Sequence, residues 1–127
     1  MKRDMDLIRE LMLRLEALPV TPGGTVHVAP DSREVQVEGY DPDEIGYHLL
    51  LIYGAGFITR SMKPAPSGIY FRRLTWAGHD FLDSVRSPDV WDRTKQAASA
   101  AGGFTVDLLV LAAKTYLEGK IKGVIGG

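Results

Sequence analysis

From Asp4 onward, apolar residues recur at Met5, Ile8, Met12 and Leu15, with Leu11 and Leu18 beside them, while Arg9, Glu10, Arg14 and Glu16 fall elsewhere around the wheel. That spacing, with a capping Asp before it and Pro19 after it, predicts a first helix. The period then shortens. Thr25 to Val28 and Glu34 to Val37 alternate polar residues with Val around Ala29-Pro30-Asp31-Ser32-Arg33, which predicts a small hairpin. Two strands alone are marginal, so the Glu34 to Val37 strand is expected to pair with later strands and the hairpin to pack on helices.

Tyr40-Asp41-Pro42-Asp43-Glu44-Ile45 is a helix start: Asp41 can cap, Pro42 suits the first helical position, Glu44 closes a capping box and Tyr40 can staple onto Ile45. Gly54-Ala55-Gly56 ends this second helix. Phe57-Ile58-Thr59 is then extended, Lys63 to Gly68 is a Pro/Gly-rich turn, and Ile69 to Leu74 is extended again. Thr75 caps a third helix reaching about Arg86, with Phe81, Leu82 and Val85 on one face. Ser87-Pro88 restarts the chain as a shorter helix around Trp91, broken at Gly102-Gly103. Phe104 and Thr105 open a strongly apolar last helix, Val106 through Leu117, in which Phe104 can staple onto Leu109, and the glycine-rich end from Gly123 is expected to fray. The fold class is therefore mainly α with a small antiparallel β-sheet (α+β).

Length and composition narrow the function classes. A chain of 127 residues with 45% hydrophobic and 24% charged residues has the make-up of one globular domain. The absence of cysteine removes disulfides, thiolate metal sites and cysteine nucleophiles. Neither a signal-type apolar run nor a span of about twenty apolar residues occurs, so a cytoplasmic location without membrane association is the expectation. Net charge is -1, yet unevenly spread: residues 1–58 hold five Lys/Arg against ten Asp/Glu, residues 59–73 four against none, and residues 74–127 six against six.

Glu44-Ile45-Gly46-Tyr47-His48-Leu49, Ala55-Gly56-Phe57-Ile58 and Leu74-Thr75-Trp76-Ala77-Gly78-His79 together resemble winged helix-turn-helix proteins, in which a helix, a glycine break, a strand, a wing and a Leu-Thr-x-x-Gly helix start follow in that order. With the opening Met1-Lys2-Arg3-Asp4-Met5-Asp6-Leu7-Ile8-Arg9 and Val90-Trp91, the chain more narrowly resembles a domain-of-unknown-function family found in bacteria and prophages. The resemblance implies a winged-helix-like core at residues 1–86 and a C-terminal helical extension at 87–127, packed on the core as one structural domain. It also implies that the helix from Pro42 is the counterpart of a recognition helix and Thr59 to Leu74 the wing. The sequence departs from the pattern in offering a hairpin where a winged helix has a further helix, and in placing Leu50 and Gly54 where family members more typically carry charge.

Two surfaces stand out as candidates. Arg60, Lys63, Arg72 and Arg73 flank the wing tip without an acidic neighbour, and with Tyr47 they could contact the phosphates of double-stranded DNA. The alternative is a protein partner in a phage, defence or regulatory setting. Ile45, His48, Leu49 and Ile52 make one apolar stripe on the second helix, while Gly46, Leu50 and Tyr53 occupy the other side, so Leu50 and Tyr53 are expected to pack against another element or subunit or to form a partner-binding patch. Leu108 and Leu111 similarly widen the apolar arc of the last helix beyond the stripe of Val106, Leu109, Val110, Ala113 and Leu117, which predicts a homo-oligomer. Catalysis has little support. Glu44 and His48 stand at i and i+4, but a capping Glu and a His on an apolar face have structural explanations; His27 and His79 lie elsewhere, and Gly54-Ala55-Gly56 lacks the third glycine of a dinucleotide loop. A non-enzymatic protein without metal or cofactor is expected.

Overall fold

The computed structural model describes residues 1–61, 63–64, 67–100 and 105–125. These form five α-helices and one small sheet: α1 (Met5–Ala17), β1 (Val26–Val28), α2 (Pro42–Ala55), β2 (Ile58–Arg60), β3 (Ile69–Leu74), α3 (Trp76–Val85), α4 (Pro88–Ala100) and α5 (Val106–Ile125). The chain divides into two compact units, Met1–Asp80 and Phe81–Gly127.

In the first unit α1 and α2 pack together over the sheet. Leu7, Leu11, Met12 and Leu15 of α1 bury with Ile45, Leu49 and Ile52 of α2 and with Ile58, Ile69 and Phe71 of the strands. The two helices are also tied by polar bonds at their starts. Asp4 caps α1, accepting from the Asp6 and Leu7 N–H groups, while Tyr40 Oη donates to its other carboxylate oxygen at 2.7 Å. The Asp4 N–H in turn donates to His48 Nε2 at 2.8 Å, and His48 Nδ1 lies 2.7 Å from the Glu44 carbonyl oxygen. The neutral imidazole with its proton on Nδ1 satisfies both contacts, an assignment inferred from the bonding pattern.

The expected hairpin does not form. Its first half is β1, but Arg33–Val35 is a single 3-10 turn, and no strand spans Glu34 to Val37. Local bonding explains the difference. The Ala29 N–H donates to Ser32 Oγ, Val35 N–H donates to the Ser32 carbonyl, and Gln36 Nε2 donates to the carbonyls of Pro30 and Ser32, so side chains offer this backbone an alternative to a ladder. Val35 and Val37 still bury, which is why their spacing reads as a strand.

The sheet order is β1-β3-β2, all antiparallel, so β1 pairs with the strand that returns from the turn. Val26, His27 and Val28 face Phe71, Tyr70 and Ile69. On the other edge Ile58 pairs with Leu74 and Arg60 with Phe71: two steps along β2 match three along β3, so Thr59 faces both Arg72 and Arg73 across a bulge. The helix after the sheet begins where Thr75 Oγ1 donates to the Gly56 carbonyl and accepts from the Gly78 N–H. A Cβ on Gly78 would collide with the Phe57 carbonyl, which accounts for the glycine of the Leu-Thr-x-x-Gly motif.

In the second unit α4 and α5 pair antiparallel. Asp89 in the first turn of α4 accepts from Tyr116 Oη at 2.8 Å and from Lys120 Nζ at 3.3 Å in the second half of α5. The Tyr116 and Lys120 donors hold the Asp89 carboxyl below its ordinary value. Both helices exceed expectation. α4 runs 13 residues against 10 for α3, and α5 continues past Leu117 to Ile125, into the glycine-rich stretch expected to fray, whose last two residues lie outside the described ones. Gly102, Gly103 and Phe104, and with them the Phe104 staple, lie outside the described residues.

Candidate interaction surface

The α2 helix starts on the expected capping box: the Glu44 N–H donates to Asp41 Oδ1 at 2.8 Å, and Glu44 Oε1 accepts from the Asp41 N–H at 3.2 Å. Glu44 and His48 are therefore both bonded to backbone groups at the helix starts. The helix ends at Gly56, whose left-handed φ of 79° suits a residue without a side chain. Ile45, His48, Leu49 and Ile52 face the core. The opposite positions are less covered among the described residues: Tyr47 is 37% and Leu50 47% exposed, Leu51 and Tyr53 are half-buried, and Gly54 is open.

This exposed face is apolar along its middle and charged at its ends. Asp41 at the cap and Asp43 in the first turn are exposed, and no Lys or Arg occurs between Pro42 and Ala55. At the other end Arg60 donates through Nε to the Tyr53 carbonyl at 3.2 Å and through Nη2 to the Gly54 carbonyl at 3.1 Å, with its guanidinium 5.3 Å from the Tyr53 ring centroid. Arg60 thus neutralises the carbonyl end of α2, where a cation is favoured.

The four wing cations consequently separate. Arg60 is committed to α2, whereas Lys63, Arg72 and Arg73 are exposed and have no ion pair among the described residues. The bulge is the reason that both arginines reach solvent. Strict alternation from Ile69 and Phe71, both buried, would turn Arg73 inward; the extra residue instead rephases the strand so that Leu74 is buried. Arg73 also lines a cavity of about 80 Å³ with Glu16, Leu18, Val20 and His79. Tyr70 packs on His27 at 4.5 Å between ring centroids, leaving Phe71 as the buried member of that pair.

Trp76 was not singled out by sequence reasoning, yet it is 85% exposed. The signal was its place immediately after the capping Thr75, a first-turn position open to solvent. Trp76 follows Thr75, whose hydroxyl is bonded to the Gly56 carbonyl at the C-terminal end of α2. On α5, Leu111 is 61% exposed and Leu108 half-buried, with Asp107, Lys114 and Thr115 exposed around Leu111.

A family model described as "Hypothetical protein (DUF2513)" matches residues 2–104. The chain belongs to this family. The DUF2513 segment includes Tyr47, Leu50, Tyr53, the wing cations and Trp76, and stops before α5 with Leu108 and Leu111. A Haemophilus influenzae relative named "Uncharacterized protein" is 30% identical over 121 residues, covering 93% of this chain and 97% of the relative. No solved structure matches. Among the described residues no helix is long and apolar enough to cross a membrane, and no group of three or more His, Asp or Glu could hold a metal ion.

Proposed function

We propose that this DUF2513 protein is a non-enzymatic winged-helix module whose α2 face binds a protein. The winged-helix reading is supported by the order of α1, β1, a 3-10 turn, α2, β2 and β3 together with the strand order β1-β3-β2. In that arrangement α2 is the counterpart of a recognition helix, and the 3-10 turn at Arg33–Val35 replaces the helix that normally precedes it. The observation that carries the binding reading is the chemistry of α2. Reading base edges requires projecting hydrogen-bonding side chains such as Arg, Asn or Gln, and α2 instead presents Tyr47 and Leu50 behind exposed carboxylates. An apolar, partly desolvated surface rewards protein contact.

Leu50→Asp tests this. The variant is expected to fold with unchanged helical circular dichroism, because Leu50 is already half in water, and to lose interactors that wild type selects from a two-hybrid library. If Leu50→Asp unfolds, or if no interactor depends on position 50, the reading fails. A second reading, phosphate contact by the wing, is favoured by Lys63, Arg72 and Arg73 being exposed without ion pairs among the described residues.

A further inference from the structure

We propose that the occupant of the α2 face is a second copy of the chain, with the two α2 helices antiparallel about a two-fold axis midway between Tyr47 and Leu50. This rests on the protein-binding reading above and names its partner. The exposed positions Asp43, Tyr47, Leu50 and Gly54 are spaced four, three and four residues apart, which keeps them on one helix face over roughly 16 Å. The spacing is palindromic. In an antiparallel pair it places Tyr47 against Leu50 of the other copy, twice, and Asp43 against Gly54, twice. Gly54 has open space where a Cβ would stand, and the guanidinium bonded to its carbonyl belongs to Arg60. Each end of the face therefore meets its electrostatic opposite: an exposed carboxylate on one copy and an exposed arginine on the other. A surface whose own pattern is complementary to itself under a two-fold is what an isologous interface requires.

Two features add to this choice. Trp76, 85% exposed and next to Thr75, whose hydroxyl bonds the Gly56 carbonyl at the end of α2, adds a third exposed large apolar side chain to the unit that carries Tyr47 and Leu50. Leu111 on α5, exposed beside half-buried Leu108, is bordered by exposed Asp107, Lys114 and Thr115, and the other exposed large apolar residues of that helix, Ile121 and Val124, lie near its far end. The contact is small beside the roughly 1,200 Å² of a standard interface, so the dimer is expected to dissociate in the micromolar range.

Sedimentation equilibrium up to about 100 μM is expected to show a monomer–dimer equilibrium for wild type. Leu50→Asp should weaken dimerisation at least about tenfold, the effect of losing about 1.4 kcal/mol, while Leu111→Asp leaves it unchanged. Asp43→Lys should weaken it and Asp43→Lys combined with Arg60→Glu should restore it. Because the chain has no cysteine, a mixture of Tyr47→Cys and Leu50→Cys chains offers a second test that needs no charge in the interface: oxidation should yield the mixed disulfide dimer. A wild type that remains monomeric, a dimer broken by Leu111→Asp and not by Leu50→Asp, or failure of the mixed cross-link would overturn the proposal. A monomeric wild type with a folded Leu50→Asp rejects the second copy but leaves protein binding standing, whereas unfolding of Leu50→Asp rejects both.

Discussion

His48 is 1% exposed and touches two helices through both ring nitrogens, accepting from the Asp4 N–H and bonding the Glu44 carbonyl. The position reads as a possible ligand only while its partners are unknown. His48→Phe keeps the bulk but leaves the part-buried Asp4 N–H without its acceptor, a loss of about 1 kcal/mol that urea denaturation would measure. Tyr40 makes the same junction sensitive to alkali. Its hydrogen bond to the Asp4 carboxylate, reinforced by partial burial, lifts the phenol from 10.0 to about 12. The folded state thus holds a proton that the unfolded state releases first. The stability this contributes is full below pH 10 and is lost as pH rises from about 10 to about 12. Tyr40→Phe should be less stable than wild type at pH 8, with the gap closing above pH 10, and its tyrosine absorbance titration should lack the highest-pH component. A gap that widens with pH would contradict this account.

At the scale of elements, glycine position decides the sign of a substitution. Gly119 lies inside α5 with nothing near where a Cβ would stand, so Gly119→Ala should raise stability by about 0.5–1 kcal/mol through helix propensity. Gly78 lies inside α3 against the Phe57 carbonyl, so Gly78→Ala should lower it by about 1–3 kcal/mol despite the better propensity. Thermal midpoints of the two variants should move in opposite directions. Propensity alone cannot tell these sites apart, because only the tertiary contact differs. The same contrast governs what was legible in the sequence. The starts of α1, α2 and α3 could be read because Asp4, Asp41 and Thr75 cap through bonds made within their own few residues. Glu34 to Val37 misled because burial of Val35 and Val37 produces a strand-like spacing whatever backbone bonds form, and Ser32 and Gln36 supplied local ones. The bulge at Arg72 and Arg73 was written as two consecutive charges in an alternating strand, but its position depends on pairing with β2, a relation between distant segments. The expected apolar surplus on α2 was legible from residues alone; its exposure at Leu50 was not, since a pattern apolar on both sides does not say what covers the second.

For the whole molecule, the charge balance sets how strongly it can engage nucleic acid. A net charge of -1 gives no long-range attraction to DNA, and ten of the sixteen acids lie in residues 1–58 on the same unit as the wing. Affinity of the wing would therefore come mainly from the exposed group of Lys63, Arg72 and Arg73, because Arg60 already gives two of its N–H groups to the α2 carbonyls. Three phosphate contacts imply a slope of log affinity against log salt of about -2.7, small beside proteins that make six to ten. If the wing binds duplex DNA, replacing Arg72 and Arg73 together by Ala should lower affinity alike for all sequences and reduce the slope by about two, with folding changed by about 0.5 kcal/mol or less because both are exposed. Fluorescence anisotropy on a mixed-sequence duplex across a salt series measures both quantities. A protein whose α2 face is its working surface gives instead feeble binding at physiological salt that the double substitution scarcely alters. A steep slope abolished by Arg72→Ala with Arg73→Ala would move the working surface from α2 to the wing, since phosphate contact and an apolar helix face answer to different variables and only the first responds to salt.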